Sequence, residues 1–278
     1  VTTTQAHART TAPTALAVHD VTLAYDSATV FEGLSVSVAE GEVTTLVGAN
    51  GSGKSTLLRA FGRLLTPRAG SVSLRGRPLR ELRTREVARQ LAILPQKPVT
   101  PAATTVRDLV SRGRHPHQSL LRPWSAADAE AVDAALAATR LTDIADRDAA
   151  ALSGGQLQRA WIALVLAQQA PVVLLDEPTT FLDLAHQVDL LRLVRAVNAE
   201  RGTTVVMVLH DLTLAARYSD RLVVLGEGRV VADGRPWDVL TPETLRSAFG
   251  LDALVVPDPA SGTPLVVPLD AEHPAPSR

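Results

Sequence analysis

Cysteine is absent from the 278 residues, which excludes disulfide bonds, thiolate metal sites and cysteine nucleophiles. That absence fits a reducing compartment. Aromatic residues make up only 3%, so packing falls to leucine, valine and alanine. Within a hydrophobic content of 46% these suffice for a substantial core. Lysine is nearly missing: Lys54 and Lys97 stand alone in a chain that otherwise uses arginine. Long apolar runs are missing too. The longest, around 160–167, is far short of the roughly 20 residues that span a bilayer. The opening residues, VTTTQAHART, contain no apolar h-region and predict no secretory signal. The expectation is a soluble chain, or one held to a membrane by something else.

Net charge is −1, but it is unevenly spread. Between 59 and 122 there are fourteen Arg or Lys against three acids (Glu81, Glu86 and Asp108), a local balance of +11. Such a stretch is read either as a solvated arginine-rich face or as a surface for an anionic partner, nucleic acid or lipid headgroups.

What is present centres on 46–58, LVGANGSGKSTLL. Gly48, four residues and then Gly53-Lys54-Ser55 make the phosphate-binding P-loop pattern. An apolar strand over 43–47 precedes it, and a helix opens at 55. Gly48, Gly51 and Gly53 allow backbone angles that let successive N–H groups turn inward on a phosphate. The helix N-terminus adds unpaired N–H groups and the positive end of its dipole. Lys54 brings a point charge for the β- and γ-phosphates, and the Ser55 hydroxyl suits Mg²⁺. Asn50, Ser52 and Thr56 complete the candidate nucleotide-binding loop.

Two further stretches carry chemistry. The apolar run 172–175 ends in Asp176 and Glu177. A buried strand that delivers acids to its carboxyl end suits Mg²⁺ at Asp176, with Glu177 placed to orient or deprotonate an attacking water. The pentapeptide 152–156, LSGGQ, sets a hydroxyl and two glycines before an apolar helix. That is a second anion site, or simply a helix cap. A chain with one P-loop needs a second cradle only if two copies face each other.

Strands are expected at 16–25, 34–38, 43–47, 71–74, 91–94, 172–175 and 204–209, with a hairpin over 221–225 and 229–232. Helices are expected from 55, over 126–139 behind a Ser125 cap, after 152, over 184–199 and at 212–216. This order predicts α/β architecture around a mainly parallel sheet, with an antiparallel sheet near the start and a helical insertion near 97–160. Residues 1–14 are expected as a loose tail, 15–256 as the folded domain, and the proline-rich 257–278 as a second tail.

The complete LSGGQ segment, behind a P-loop and before a strand ending in Asp-Glu, resembles the ATP-binding subunits of ATP-binding cassette (ABC) transporters. The resemblance covers about 16–250 and implies a P-loop NTPase fold. It implies that Tyr25 stacks on adenine, that Gln96 senses Mg²⁺ and the permease, that Asp183 crosses a dimer interface, and that His210 contacts the γ-phosphate. It also implies that ATP lies between two head-to-tail copies, each held by one P-loop and the other copy's Ser153, Gly154, Gly155 and Gln156. Closure would drive transmembrane permease subunits at the cytoplasmic face of the membrane, with an extracytoplasmic binding protein engaged indirectly. No nucleic-acid partner is expected. The strings ILPQ at 93–96, GRHPHQ at 113–118 and EPTTFLDLAHQ at 177–187 are similar to iron(III)–siderophore importers, with the vitamin B12 and haem importers as near alternatives. A soluble ABC ATPase of ribosomes or nucleic acid is the competing class. On the same resemblance Arg107, Arg112, Arg114 and Arg122 are expected at lipid headgroups or permease loops.

Overall fold

A computed structural model describes residues 12–26, 28–119, 123–180 and 182–269. Its centre is a six-stranded sheet in the order β10-β9-β3-β8-β7-β6. The strands are β3 (Val43–Val47), β6 (Leu91–Leu94), β7 (Val172–Leu175), β8 (Thr204–Val208), β9 (Arg221–Gly226) and β10 (Arg229–Gly234). All neighbours pair in parallel except the β9–β10 hairpin. A sheet covered on both faces needs strands that are apolar on both sides, and β3, β7 and β8 are buried at every position.

Alternation divides those strands between two cores. Val172, Leu174, Val206 and Val208 enter one cluster with the long strands β1 (Thr14–Tyr25) and β2 (Ala28–Ala39). Those two join β4 (Ala69–Leu74) and β5 (Arg77–Pro78) in a four-stranded antiparallel sheet. The helix α1 (Lys54–Phe61) lies in the same cluster through Leu57, Leu58 and Phe61. Val173, Leu175, Val205 and Met207 face the other way, against α5 (Gly154–Ala167), α6 (Leu184–Arg201), α7 (Leu212–Tyr218) and α9 (Pro242–Phe249). The short helices α2 (Thr84–Gln90) and α8 (Pro236–Val239) complete this frame.

The helical insertion has its own core, built from α3 (Val106–Ser111), α4 (Ala126–Ala138) and α5. α5 runs past 160 and serves both bodies. Ala160, Ala163 and Ala167 pack inside the insertion, while Ile162 and Val165 pack on the sheet. Ser125 caps α4 as expected, in a reciprocal capping box with Asp128.

Asp128 also pairs with Arg114 at 2.9 Å, both side chains being buried. Arg114 further donates to Ala167 O and to Gln169 Oε1. This corrects the expectation of a cation at the membrane surface, because Arg114 is 5% exposed. Arg107 pairs with Asp133 while both side chains stay exposed, Arg112 is exposed, and Arg122 lies outside the described residues. Much of the remaining basic stretch bonds within the chain. Arg63 donates to Leu82 O, Arg85 and Arg89 to Pro116 O, and Arg77 pairs with Glu86.

The expected tail from 257 is also corrected. β11 (Ala253–Pro257) and β12 (Pro264–Pro268) form a hairpin, and Val255 and Val266 pack on the second core. Its prolines sit at strand ends, where a missing N–H costs least. At the other end β1 begins at Thr14, inside the expected tail. Residues 1–11 and 270–278 lie outside the described residues.

Candidate functional site

The strand registers gather the site. Leu94 pairs with Leu175, Leu175 with Met207, and Leu46 with Val208, so β6, β7, β8 and β3 end along one carboxyl edge. That edge is where open α/β sheets place ligands. One to three residues beyond those ends stand Gln96, Asp176, Glu177, His210 and the P-loop.

Two of the three P-loop glycines stand where a side chain would not fit. A Cβ on Gly48 would lie 2.2 Å from Leu225 O, and one on Gly53 would lie 2.4 Å from the Phe31 ring. Gly53 caps α1 with φ 94°. Gly51 departs from the expected tight cradle. It is exposed at the turn beside the exposed Asn50, and a Cβ there would meet nothing within 4 Å. Only its φ of 79° calls for glycine, so Gly51 shapes the turn and lines no closed wall. Lys54 is buried, and its Nζ donates to Gly48 O and Ala49 O, each at 2.9 Å. Burial lowers its pKa, against the charges of Glu177 and Asp176, which raise it. Ser52 Oγ is buried with no hydrogen-bond partner, which costs about 1–3 kcal/mol when left so. An orphaned hydroxyl and an ammonium satisfied only by main-chain carbonyls fit an anion filling this loop.

Beside the loop, Ser55 Oγ donates to Asp176 Oδ1 at 2.7 Å. Burial raises the Asp176 pKa and Glu177 adds to that, opposed by the Ser55 bond and by the charges of Arg59 and Lys54. A hydroxyl and one carboxylate are hard oxygen donors of the kind that hold Mg²⁺ together with substrate phosphates. Among the described residues there is no cluster of three or more His, Cys, Asp or Glu suited to a metal. The donor set therefore fits a cation that arrives with its nucleotide.

Glu177 is the most heavily constrained group. Its backbone is left-handed, at φ 51°, a costly conformation for a side chain of this size. Oε2 accepts from Gln96 Nε2 at 2.6 Å and from Thr180 Oγ1 at 3.2 Å. His210 Nε2 lies 2.9 Å from Oε1. Burial pushes the Glu177 pKa up, but the bonds from His210 and Gln96, the His210 charge and the Thr180 bond together hold it below the usual range. A carboxylate fixed in its ionised form at a phosphate loop can orient a water and accept its proton.

Five other expected residues are placed differently. Tyr25, at the end of β1, is 39% exposed, and its hydroxyl accepts from Arg59 of α1 at 3.2 Å. Asp183 is exposed and caps α6, accepting from His186 N at 2.9 Å and lying 2.7 Å from His186 Nδ1. Ser153 caps α5 in a reciprocal box with Gln156, and Ser153 and Gly154 are exposed. Among the described residues no hydrogen bond joins 153–156 to the loop 48–56.

The family model described as ABC transporter matches residues 31–180. The chain is 48% identical over 254 residues to a Bacillus subtilis (strain 168) protein named "Probable siderophore transport system ATP-binding protein YusV", spanning 91% of this chain and 92% of that one. It is also 48% identical over 255 residues to the ferric enterobactin transport ATP-binding protein FepC of Escherichia coli (strain K12), spanning 92% and 94% respectively. This chain belongs to the ABC transporter family.

It is an ABC transporter ATP-binding subunit and an ATP hydrolase. A solved dimer of the ABC cassette MJ0796, in a post-hydrolysis state with ADP and Pi, superposes with a TM-score of 0.70 at 27% identity, covering 79% of this chain and 98% of that one. The ABC subunit's sequence left two contacts unread. Thr180 is a partner of Glu177, for which the only sequence sign is a hydroxyl three residues on, and Gln158 donates to Pro178 O from within α5. No helix among the described residues is long and apolar enough to cross a membrane.

Proposed function

We propose that this subunit powers an importer of iron(III)–siderophore complexes, working as an ATP-bound pair of identical chains docked on permease subunits at the cytoplasmic face of a membrane. The single observation that best supports its role as the ATP-driven motor is the ring of donors around Glu177, set beside the Ser55–Asp176 pair at the mouth of the P-loop. The relatives named above support iron–siderophore cargo over vitamin B12 or haem.

In this reading the P-loop N–H groups and Lys54 hold the phosphates, and Lys54 exchanges its two carbonyl partners for phosphate oxygens. Mg²⁺, held by Ser55, Asp176 and Gln96 with the nucleotide's own oxygens, would neutralise charge on the β- and γ-phosphates. Glu177 aligns the water that attacks the γ-phosphorus and takes its proton as the bond to ADP breaks. His210 stands by the γ-phosphate. Positioning and electrostatics supply the catalysis, since phosphoryl transfer needs little covalent help. Tyr25 offers its exposed ring to adenine. Ser153, Gly154, Gly155, Gln156 and Asp183, unconnected to the P-loop of their own chain, serve the nucleotide held by the other copy.

Radio-iron uptake in cells that lack this gene tests the cargo. Wild-type protein should restore uptake of an iron–siderophore complex, Lys54→Ala should not, and cobalamin uptake should be indifferent to both. Restored cobalamin uptake with no effect on iron would overturn the cargo. Recovery of the subunit with ribosomes or nucleic acid, instead of a multi-spanning membrane protein, would support the soluble alternative.

A further inference from the structure

α5 begins at the LSGGQ segment, with Ser153 as its cap. One turn in, Gln158 Nε2 donates to Pro178 O at 2.9 Å. Pro178 follows Glu177, the residue held at φ 51°. The loop that follows Glu177 has Thr180 N donating to Glu177 O and Leu182 N to Thr179 O. Its far end is tied to α6 by Gln187 Nε2 donating to Leu182 O at 2.8 Å. Among the described residues, Gln158 provides the hydrogen bond that joins this loop to α5. Leu182 also lies close to Gly155, where an added Cβ would stand 3.5 Å from its side chain, so the first turn of α5 sits beside the same loop.

We infer that Gln158 is a positioning residue that hangs the Glu177 loop on the helix whose first turn grips the partner copy's nucleotide. The inference rests on the dimer reading above. Within each chain a stiff helical turn separates the Ser153 cap from Gln158, and one hydrogen bond then reaches the peptide that aims Glu177. A phosphate engaged at Ser153–Gly155 shifts that turn, and the shift arrives at Pro178 O. Each copy's hydrolytic carboxylate thereby responds to the nucleotide in the other site. This makes the two sites a coupled pair, with coupling carried by a named donor and acceptor.

The decisive property is the donor, so the variants separate donor from shape. Gln158→Met keeps length and neutrality but cannot donate, whereas Gln158→Lys keeps a donor at similar reach. Turnover is measured against ATP concentration in the full chain assembled with its transporter, beside Glu177→Gln. One lost neutral hydrogen bond predicts a fall in kcat of about three- to tenfold for Gln158→Met. KM for ATP should stay within about twofold, because the P-loop is untouched. The Hill coefficient should fall toward one, and the melting temperature should hold. Gln158→Lys should recover most of the turnover and the cooperativity. If Gln158→Met does not fold, Gln158→Glu, which also lacks a donor, takes its place with the same expected result.

Wild-type kcat and cooperativity in the donor-less variant would overturn the inference. So would equal impairment of the lysine variant. The Glu177→Gln arm keeps two failures apart. If it hydrolyses ATP normally, the reading of the site itself falls. If it is inactive while Gln158→Met behaves as wild type, only the role of Gln158 falls.

Discussion

Single residues divide the labour of this site by electrostatics. Lys54 is buried against two carbonyls and two nearby carboxylates, so removing it strips the loop of its only full positive charge. Lys54→Ala should lose ATP binding measured by equilibrium titration, and wild-type affinity would argue against the P-loop assignment. Tyr25→Ala should weaken nucleotide affinity by about 1–3 kcal/mol if stacking on a base is a fair guide. GTP should remain usable, because stacking reads a ring face and no donor pattern. Glu177 gives a prediction with a definite sign. Its pKa is held low by partners that overcome burial, so its stabilising interactions are complete above the ordinary glutamate range, about 4.3. They fade as pH falls through the lower folded-state value. Gln96→Ala removes one of those partners and leaves the burial. The acid limb of the kcat–pH profile should therefore move to higher pH, and a limb that stays in place would contradict the account.

At the scale of elements, one cation departs from what charge counting implies. Fourteen cations against three acids reads as a surface, and all the described ones but Arg114 are exposed or half-buried. Arg114 is interior, and its partner Asp128 lies in α4 on the far side of a loop. Sequence spacing gave no hint of that pairing, since Asp128 already had a local role in the cap of α4. Burial raises the Asp128 pKa, but the Ser125 and Arg114 hydrogen bonds outweigh it and the net shift is downward. Arg114→Ala leaves that buried carboxylate with only its Ser125 bonds, and breaking a buried pair costs about 3–5 kcal/mol. Thermal melting should show the loss, and replacing Arg114 by Met together with Asp128 by Leu should recover most of it. A single variant with wild-type stability would mean the pair is idle. The sheet was far more legible. Apolar runs at 43–47, 91–94, 172–175 and 204–209 are buried on both faces and have no other stable home, and each appears as a strand within a residue of its expected bounds. The φ of Glu177 could not be read, because no residue type announces it. The β11–β12 hairpin was hidden by its prolines, although ALVVP and PLVVP about a polar turn are a hairpin pattern in plain view.

For the whole molecule, the hairpin and the dimer are the points at issue. Val255 and Val266 cover part of the second core, so deleting residues 253–278 should lower the melting temperature while ATP still binds. Lost ATP binding in a folded truncation would give the hairpin a role the site does not predict. The division of the site is the larger matter. One set of residues, Lys54, Ser55, Gln96, Asp176, Glu177, Thr180 and His210, meets at one sheet edge, while Ser153, Gly154 and Asp183 face outward. In the head-to-tail pair proposed above, the half-site of each kind on one chain would become whole. The direct test is the mass of Glu177→Gln in solution by light scattering, with and without ATP and Mg²⁺. A glutamine keeps the shape but cannot take the proton, so the account predicts a stable species of twice the chain mass that forms only with ATP and releases no phosphate. A variant that stays at the mass of one chain, or turns over ATP at the wild-type rate, would contradict it.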